Sequence, residues 1–211
     1  MEDNRKYEKE LNSNGIEIIG GVDEVGRGPL IGSVVAACVV LPRDFVIEGL
    51  TDSKKLSEKK RDMYYDLIMD EALAVGIGRV DEKEIDKINI YEATKKAMMM
   101  AIDEVRKQIE VEHILIDAMP LELDIPTTSI IKGDLKSITI SAASVIAKVT
   151  RDREMYELDK KYPMYDLKNN KGYGTKKHIE AIERYGIIKE HRLSYAPVFK
   201  HKDHINDGKL G

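Results

Sequence analysis

The stretch SVVAACVVL at 33–41 constrains the fold most. It is uncharged, rich in valine, and apolar at odd and even positions alike, so it predicts a strand with both faces covered. Such a strand needs layers on either side, and the remaining sequence predicts the helices to supply them. A polar helix is expected over 1–12, and one capped by Ser57 running to Glu71. A long helix is expected over 89–110, where Tyr91, Met98, Ala101, Ile102 and Val105 recur at helical spacing and Met98-Met99-Met100 fills the core. Another should run from Ser137 to about Lys161, and one more from the cap Thr175 to the stop Gly186. Further strands are predicted at 16–24, 72–80, 113–117 and 127–132, the first pairing antiparallel with 33–41 across a short link. Three strands, a helix, a strand and then mostly helix make a mixed α/β sheet with a helical C-terminal portion. The tail, 203–211, is polar and expected to fray.

The chain has 211 residues, enough for one large domain or a domain with a small appendage. Its sole cysteine, Cys38, sits inside the apolar strand, which excludes an intramolecular disulfide and suits a small core residue. No run approaches a membrane span, and MEDNRKYEKE is too charged for a secretory leader, so a cytoplasmic protein is expected. The net charge of −4 is unevenly spread. Residues 168–202 hold nine Lys and Arg against three Glu, a local +6 that leaves −10 for the rest. The expected organisation is a body over 1–167 with a basic helical region, 168–211, packed on it. Such a region suits a polyanion held by one surface, or a solvated helical face.

In such a fold the acids are out of place. Asp23 and Glu24 lie side by side between two core strands, Asp117 ends the buried strand at 113–117, and Asp134 precedes the long helix. Charges are seldom buried without a partner or a metal. Alternation sends Asp23 and Glu24 to opposite faces, so both serve one site only at a strand end or a bulge. Converging carboxylates repel, and Mg²⁺ or Mn²⁺, which take oxygen ligands, resolve that conflict. Two such ions can activate water and stabilise a leaving oxygen in phosphodiester hydrolysis. The plain alternative is a pair of turn-capping acids and an ordinary strand-end aspartate.

On the long helix Ser141, Ser144, Lys148 and Asp152 form one polar stripe beside Ala142, Val145, Ile146 and Val149. It resembles the wall of a site, with Lys148 able to meet a phosphate and Asp152 near the metals. Gly26-Arg27-Gly28 combines close backbone approach with a planar phosphate fork, and Tyr173 between glycines can present its ring to a sugar or base. Either segment read alone is equally a tight turn.

Together these residues resemble the ribonuclease HII family. The resemblance is carried by DEVGRGPLIG (23–32), DSKKL (52–56), LID (115–117), KGD (132–134), SAASVIAKVTRD (141–152), KGYGT (171–175) and HRLSYAPV (191–198), in the expected order. It implies a ribonuclease H-like fold and a metal-dependent endonuclease. The implied substrates are RNA/DNA hybrids, cut in the RNA strand to leave 5′-phosphates, and duplex DNA, incised 5′ of a single embedded ribonucleotide. It implies Asp23, Glu24, Asp117 and Asp134 as the catalytic acids, which are expected to hold Mn²⁺ or Mg²⁺; the helical stripe, not the resemblance, adds Asp152 as a further metal ligand. It implies Gly26, Arg27 and Gly28 as sensors of the ribose 2′-OH and Tyr173 at the junction; beside these, Ser141, Ser144 and Lys148 of the stripe and Lys54 are expected as further substrate contacts, and a monomer is expected. The arginine of the motif favours this family over ribonuclease HIII. Two departures stand out: Ser33 where the family often has proline, and Ala118 where glycine commonly follows the strand acid. Rival readings are another metal nuclease of the same superfold and a non-catalytic hybrid-binding protein. Cleavage of a duplex with one ribonucleotide, set against an all-DNA duplex, separates them.

Overall fold

The structure is a computed structural model that describes residues 4–47, 49–50 and 56–206. Five strands form one sheet: β1 (Ile19–Val25), β2 (Val34–Val40), β3 (Ala74–Val80), β4 (His113–Asp117) and β5 (Thr127–Ile130), in the order β3-β2-β1-β4-β5. The first three pair antiparallel, as the short link between β1 and β2 predicts, and β1, β4 and β5 run parallel. All seven residues of β2 are buried, so its two covered faces are real.

One face packs against α2 (Glu58–Glu71) and α6 (Ile138–Lys161), around Val35, Ala37, Val39, Ile68, Ala142 and Val145. The other packs against α4 (Ile90–Arg106), around Val22, Ala36, Cys38, Ala97, Met98 and Ala101. Close packing there needs glycine: a Cβ at Gly78 would lie 1.9 Å from the Ala97 carbonyl oxygen. The helix α1 (Lys6–Ser13) closes the β4–β5 side with Tyr7 and Leu11 against Ile19, Leu115 and Ile140.

Ser57, Ser137 and Thr175 cap α2, α6 and α8 (Lys176–Tyr185) through their side chains, as expected. Two short helices add to the expected elements. α3 (Glu82–Ile88) is capped by Asp81, and α5 (Gly133–Lys136) is a single turn between β5 and α6. Beyond α6 come α7 (Leu167–Asn170), α8 and α9 (Ala196–Phe199). Their core of Tyr165, Leu167, Ile182, Ile187 and Val198 takes in Leu30, Ile31 and Met155 from the body. The tail is held further than its polarity suggests: Ile187 donates to the His204 carbonyl, and Asn206 donates to that of Ile187. Residues 207–211 lie outside the described residues.

Candidate active site

Gly21 sets the depth of the site. A Cβ there would lie 2.2 Å from the Thr139 carbonyl carbon and 2.4 Å from the Ile140 nitrogen, so only glycine lets the first turn of α6 rest on β1. Two residues further on the same face, Asp23 meets that helix and accepts a hydrogen bond from Ser144. Asp23 stands opposite Ala37 of the α6-side core, and Glu24 opposite Ala36 of the α4-side core. The pleat therefore turns the two acids apart, and the ladder continues through Val25 without a bulge. Both nevertheless lie in the last three residues of β1, close enough for the charge of Glu24 to act on Asp23.

Asp117 joins them there. β1 and β4 pair in parallel as far as Val22 and Ile116, so Asp23 and Asp117 follow side by side at the ends of neighbouring strands. Burial pushes the Asp23 carboxyl well above its usual range, and the charges of Glu24 and Asp117 push it further. One Asp117 oxygen accepts from the Gly133 amide at 2.6 Å, and a Cβ on Gly133 would come within 3.3 Å of that oxygen. Glycine thus lets the turn into α5 close on the carboxylate. The next residue, Asp134, is buried, and its carbonyl accepts from Ser141, which ties α5 to α6.

The donor set is all oxygen and all acidic, which suits hard divalent ions. A buried carboxylate raised by two neighbouring acids is an environment that such an ion relieves. The residues fit Mg²⁺ or Mn²⁺. Asp23, Glu24 and Asp117 act on one another through their charges, while among the described residues no three His, Cys, Asp or Glu side chains stand at the spacing that would hold one ion.

The polar stripe of α6 divides. Ser144 serves the acids, whereas Ser141 is fully buried and donates to the carbonyls of Asp134 and Ser137. Its hydroxyl ties α5 to the first turn of α6. Asp152 lies eight residues beyond Ser144, about 12 Å along the helix. It pairs there with Lys148 at 2.7 Å and with Arg61 at 3.9 Å, so its partners are cations and not the acid group. Lys54 falls outside the described residues.

The segments around Gly28 and Tyr173 do come together. Gly26 has φ +93°, and a Cβ on Gly28 would stand 3.4 Å from the Tyr173 ring. Arg27 is half exposed and lies 3.8 Å from Glu24. Ser33, where proline is common in the family, donates to Glu154 at 2.6 Å.

Several residues that shape the site gave no signal in the sequence. Two fully buried arginines, Arg151 and Arg192, grip backbone carbonyls of the 26–33 segment. His178 and His191 stack into one buried chain of hydrogen bonds. The Ile188 amide donates to Nδ1 of His191, the two Nε2 atoms meet at 3.2 Å, and Nδ1 of His178 reaches the Tyr173 carbonyl. Glu8 from α1 is buried against the start of α6, where it accepts from the Thr139 amide and the hydroxyls of Ser137 and Thr139.

A mixed sheet in this order, with acids gathered where two adjacent parallel strands end, defines a nuclease of the ribonuclease H-like class. The family model described as Ribonuclease HII matches residues 20–198. The Ribonuclease HII of Bacillus cytotoxicus is 58% identical over 193 residues, spanning 92% of this chain and 74% of the relative. Among solved structures, the ribonuclease H2 from Pyrococcus horikoshii OT3 superposes with a TM-score of 0.75 at 26% identity, covering 88% of this chain and 97% of that one. Bst-RNase HIII in complex with Mn²⁺ shares the fold, with a TM-score of 0.65 at 19% identity over 88% of this chain and 69% of that one. The chain belongs to the ribonuclease HII family, and is a type 2 ribonuclease H, a metal-dependent endoribonuclease.

Proposed function

We propose that the chain cuts the RNA strand of RNA/DNA hybrids and incises 5′ of single ribonucleotides in duplex DNA, with the chemistry at the ends of β1 and β4. The observation that carries this reading is the side-by-side placement of Asp23 and Asp117, with the Asp23 carboxyl raised by burial, Glu24 and Asp117. Asp23, Glu24, Asp117 and Asp134 would hold two divalent ions, Mg²⁺ or Mn²⁺. When bound, such ions neutralise the phosphate, lower the pKa of attacking water and stabilise the leaving oxygen. Ser144 fixes the Asp23 carboxylate and the Gly133 amide fixes that of Asp117, so the acids are oriented before substrate arrives.

Gly26, Arg27 and Gly28 would read the ribose 2′-OH, and the half-exposed Tyr173 ring would pack on the adjoining sugar. Lys148, held by Asp152, would face a phosphate of the duplex. The basic C-terminal region would track the nucleic-acid backbone. We place this work in the cytoplasm and assign it to a monomer. Among the described residues no helix is long and apolar enough to cross a membrane.

The test is cleavage of a duplex with one embedded ribonucleotide, in Mg²⁺, Mn²⁺ and EDTA, beside the same duplex in all-DNA form. Incision 5′ of the ribonucleotide with either metal, none in EDTA and none of the all-DNA duplex is the expected result. Equal cutting of both duplexes would point to another nuclease of this fold. Binding without cleavage in any lane would point to a non-catalytic binder.

A further inference from the structure

We propose that Arg192 is a positioning residue for ribonucleotide recognition. It turns the Gly26 and Arg27 carbonyls inward, so that the amides of Arg27 and Gly28 face outward as a preset donor pair. The guanidinium is fully buried, and every N–H it carries is directed. Nε donates to the Gly32 carbonyl at 2.9 Å, and Nη1 to the Arg27 carbonyl and the Tyr195 hydroxyl, each at 3.0 Å. Nη2 donates to the carbonyls of Gly26 at 2.6 Å and Ser33 at 3.1 Å. The Tyr195 hydroxyl in turn donates to the Arg27 carbonyl.

The described peptide bonds are all trans. In a trans peptide the C=O of one residue and the N–H of the next point in opposite directions. Drawing the Gly26 and Arg27 carbonyls onto a buried cation therefore sends the next two amides away from it. Gly26 permits the bend, with φ +93° and a space that a Cβ would overfill against Arg151. Arg151 fastens the other end of the segment through the Ser33 and Ile31 carbonyls, and bridges to the Lys171 carbonyl beside Tyr173. Lysine cannot replace this fork, since it offers a point charge in place of five planar donors.

The inference rests on the reading that the 26–28 segment senses the ribose, and the experiment separates the two. The full chain is titrated in EDTA, where nothing is cut, with a duplex containing one ribonucleotide and with its all-DNA counterpart. The readout is the ratio of the two Kd values. Gly28→Ala tests the reading: its added methyl fits the protein but narrows the approach to the segment. Arg192→Lys tests the proposal. Losing a charge-assisted pair of bonds should shrink the ratio about tenfold while the all-DNA Kd stays within about twofold. A merely structural role would weaken both duplexes together and leave the ratio alone.

If Gly28→Ala reduces the ratio and Arg192→Lys does not, the reading stands and the Arg192 proposal is overturned. If Gly28→Ala leaves the ratio intact, the segment does not read the ribose and both fall. Should Arg192→Lys fail to fold, Tyr195→Phe decides, since it removes only the hydroxyl shared by Arg192 and the Arg27 carbonyl. A partial loss of the ratio supports the proposal, and an unchanged ratio overturns it.

Discussion

Gly28 faces the Tyr173 ring with room for about one methyl between them: a Cβ on the glycine would stand 3.4 Å from Cε1. Two segments far apart in the chain thus form one surface, beside the acids through Arg27 and Glu24. That arrangement makes the ring's role testable by separating its face from its hydroxyl. Tyr173→Phe keeps the face, and Tyr173→Ala loses both. If packing on the sugar dominates, Phe should retain most incision at a single ribonucleotide and Ala should lose about tenfold to a hundredfold, as base–aromatic contacts suggest. Steady-state kcat/KM for the two variants checks it. Equal defects would shift the role to the hydroxyl, and no defect in either would leave only a turn.

Ala118 should be a poor fit that glycine repairs. It has φ +51°, immediately after Asp117, in the left-handed region that a Cβ disfavours by about 1–2 kcal/mol. Ala118→Gly relieves that strain, offset in part by the freer unfolded chain. We expect a net gain of about 0.5–1 kcal/mol, read as a melting temperature raised by about 1–4 °C. A lower melting temperature would mean that other contacts of the alanine outweigh the strain.

The acids and caps are legible because their signals are local. Asp23 and Glu24 interrupt an apolar pattern, and a serine or threonine before a helical run marks its own cap. What stays hidden depends on contacts between distant parts of the chain. Arginine is normally exposed, so nothing in TRD or HRL announces that Arg151 and Arg192 are buried among carbonyls of 26–33. Glu8 looks like one more charge on a polar helix until α1 is laid against the start of α6. The stripe on α6 reads as a single wall because helical spacing fixes direction around the axis but says nothing of what covers each turn. Ser141 proves buried, and Asp152 faces Arg61.

The crowded carboxylates should weaken the metal-free protein. In the fold the Asp23 carboxyl titrates above its ordinary 3.8. The folded state therefore binds more protons than the unfolded one across that window, and stability falls as pH rises through it. At neutral pH, Asp23→Asn should raise the melting temperature in EDTA by about 3 °C or more. Mn²⁺ should stabilise the wild type more than the variant. Asp117→Asn, by contrast, should abolish cleavage while hybrid binding is kept or improved, because repulsion of the phosphate falls. Residual activity within about threefold of wild type would remove Asp117 from the site, since an essential metal contact is worth several kcal/mol in the transition state.

The buried imidazoles give the opposite slope. Burial, and then His178, lower the pKa of His191 from 6.5 to about 3, and burial lowers that of His178. The neutral forms belong to the folded state, so their contribution is complete above pH 6.5 and is lost as pH falls toward 3. Each histidine that protonates only on unfolding contributes a slope of about 1.4 kcal/mol per pH unit in that window. His191→Asn should be less stable at neutral pH, yet should lose less on acidification. Urea unfolding at several pH values checks this, and parallel curves for the two proteins would contradict it.

The basic region is tested where it is most exposed, at the first turn of α8. Lys176 and Lys177 project into solvent, with Glu180 at 3.7 Å and Asp166 at 3.9 Å as loose partners among the described residues. Exposed pairs of this kind contribute little to folding, so replacing both lysines with glutamine should leave the melting temperature nearly unchanged. If they meet phosphates, binding should weaken alike for hybrid, ribonucleotide-bearing duplex and plain DNA, because phosphate contacts carry no sequence information. The dependence of log K on log salt should flatten by roughly one unit for each lysine–phosphate pairing removed. Titrations over a series of salt concentrations give that slope directly. An unchanged slope would mean that these lysines face only solvent, and the polyanion surface would have to be sought elsewhere in residues 168–202.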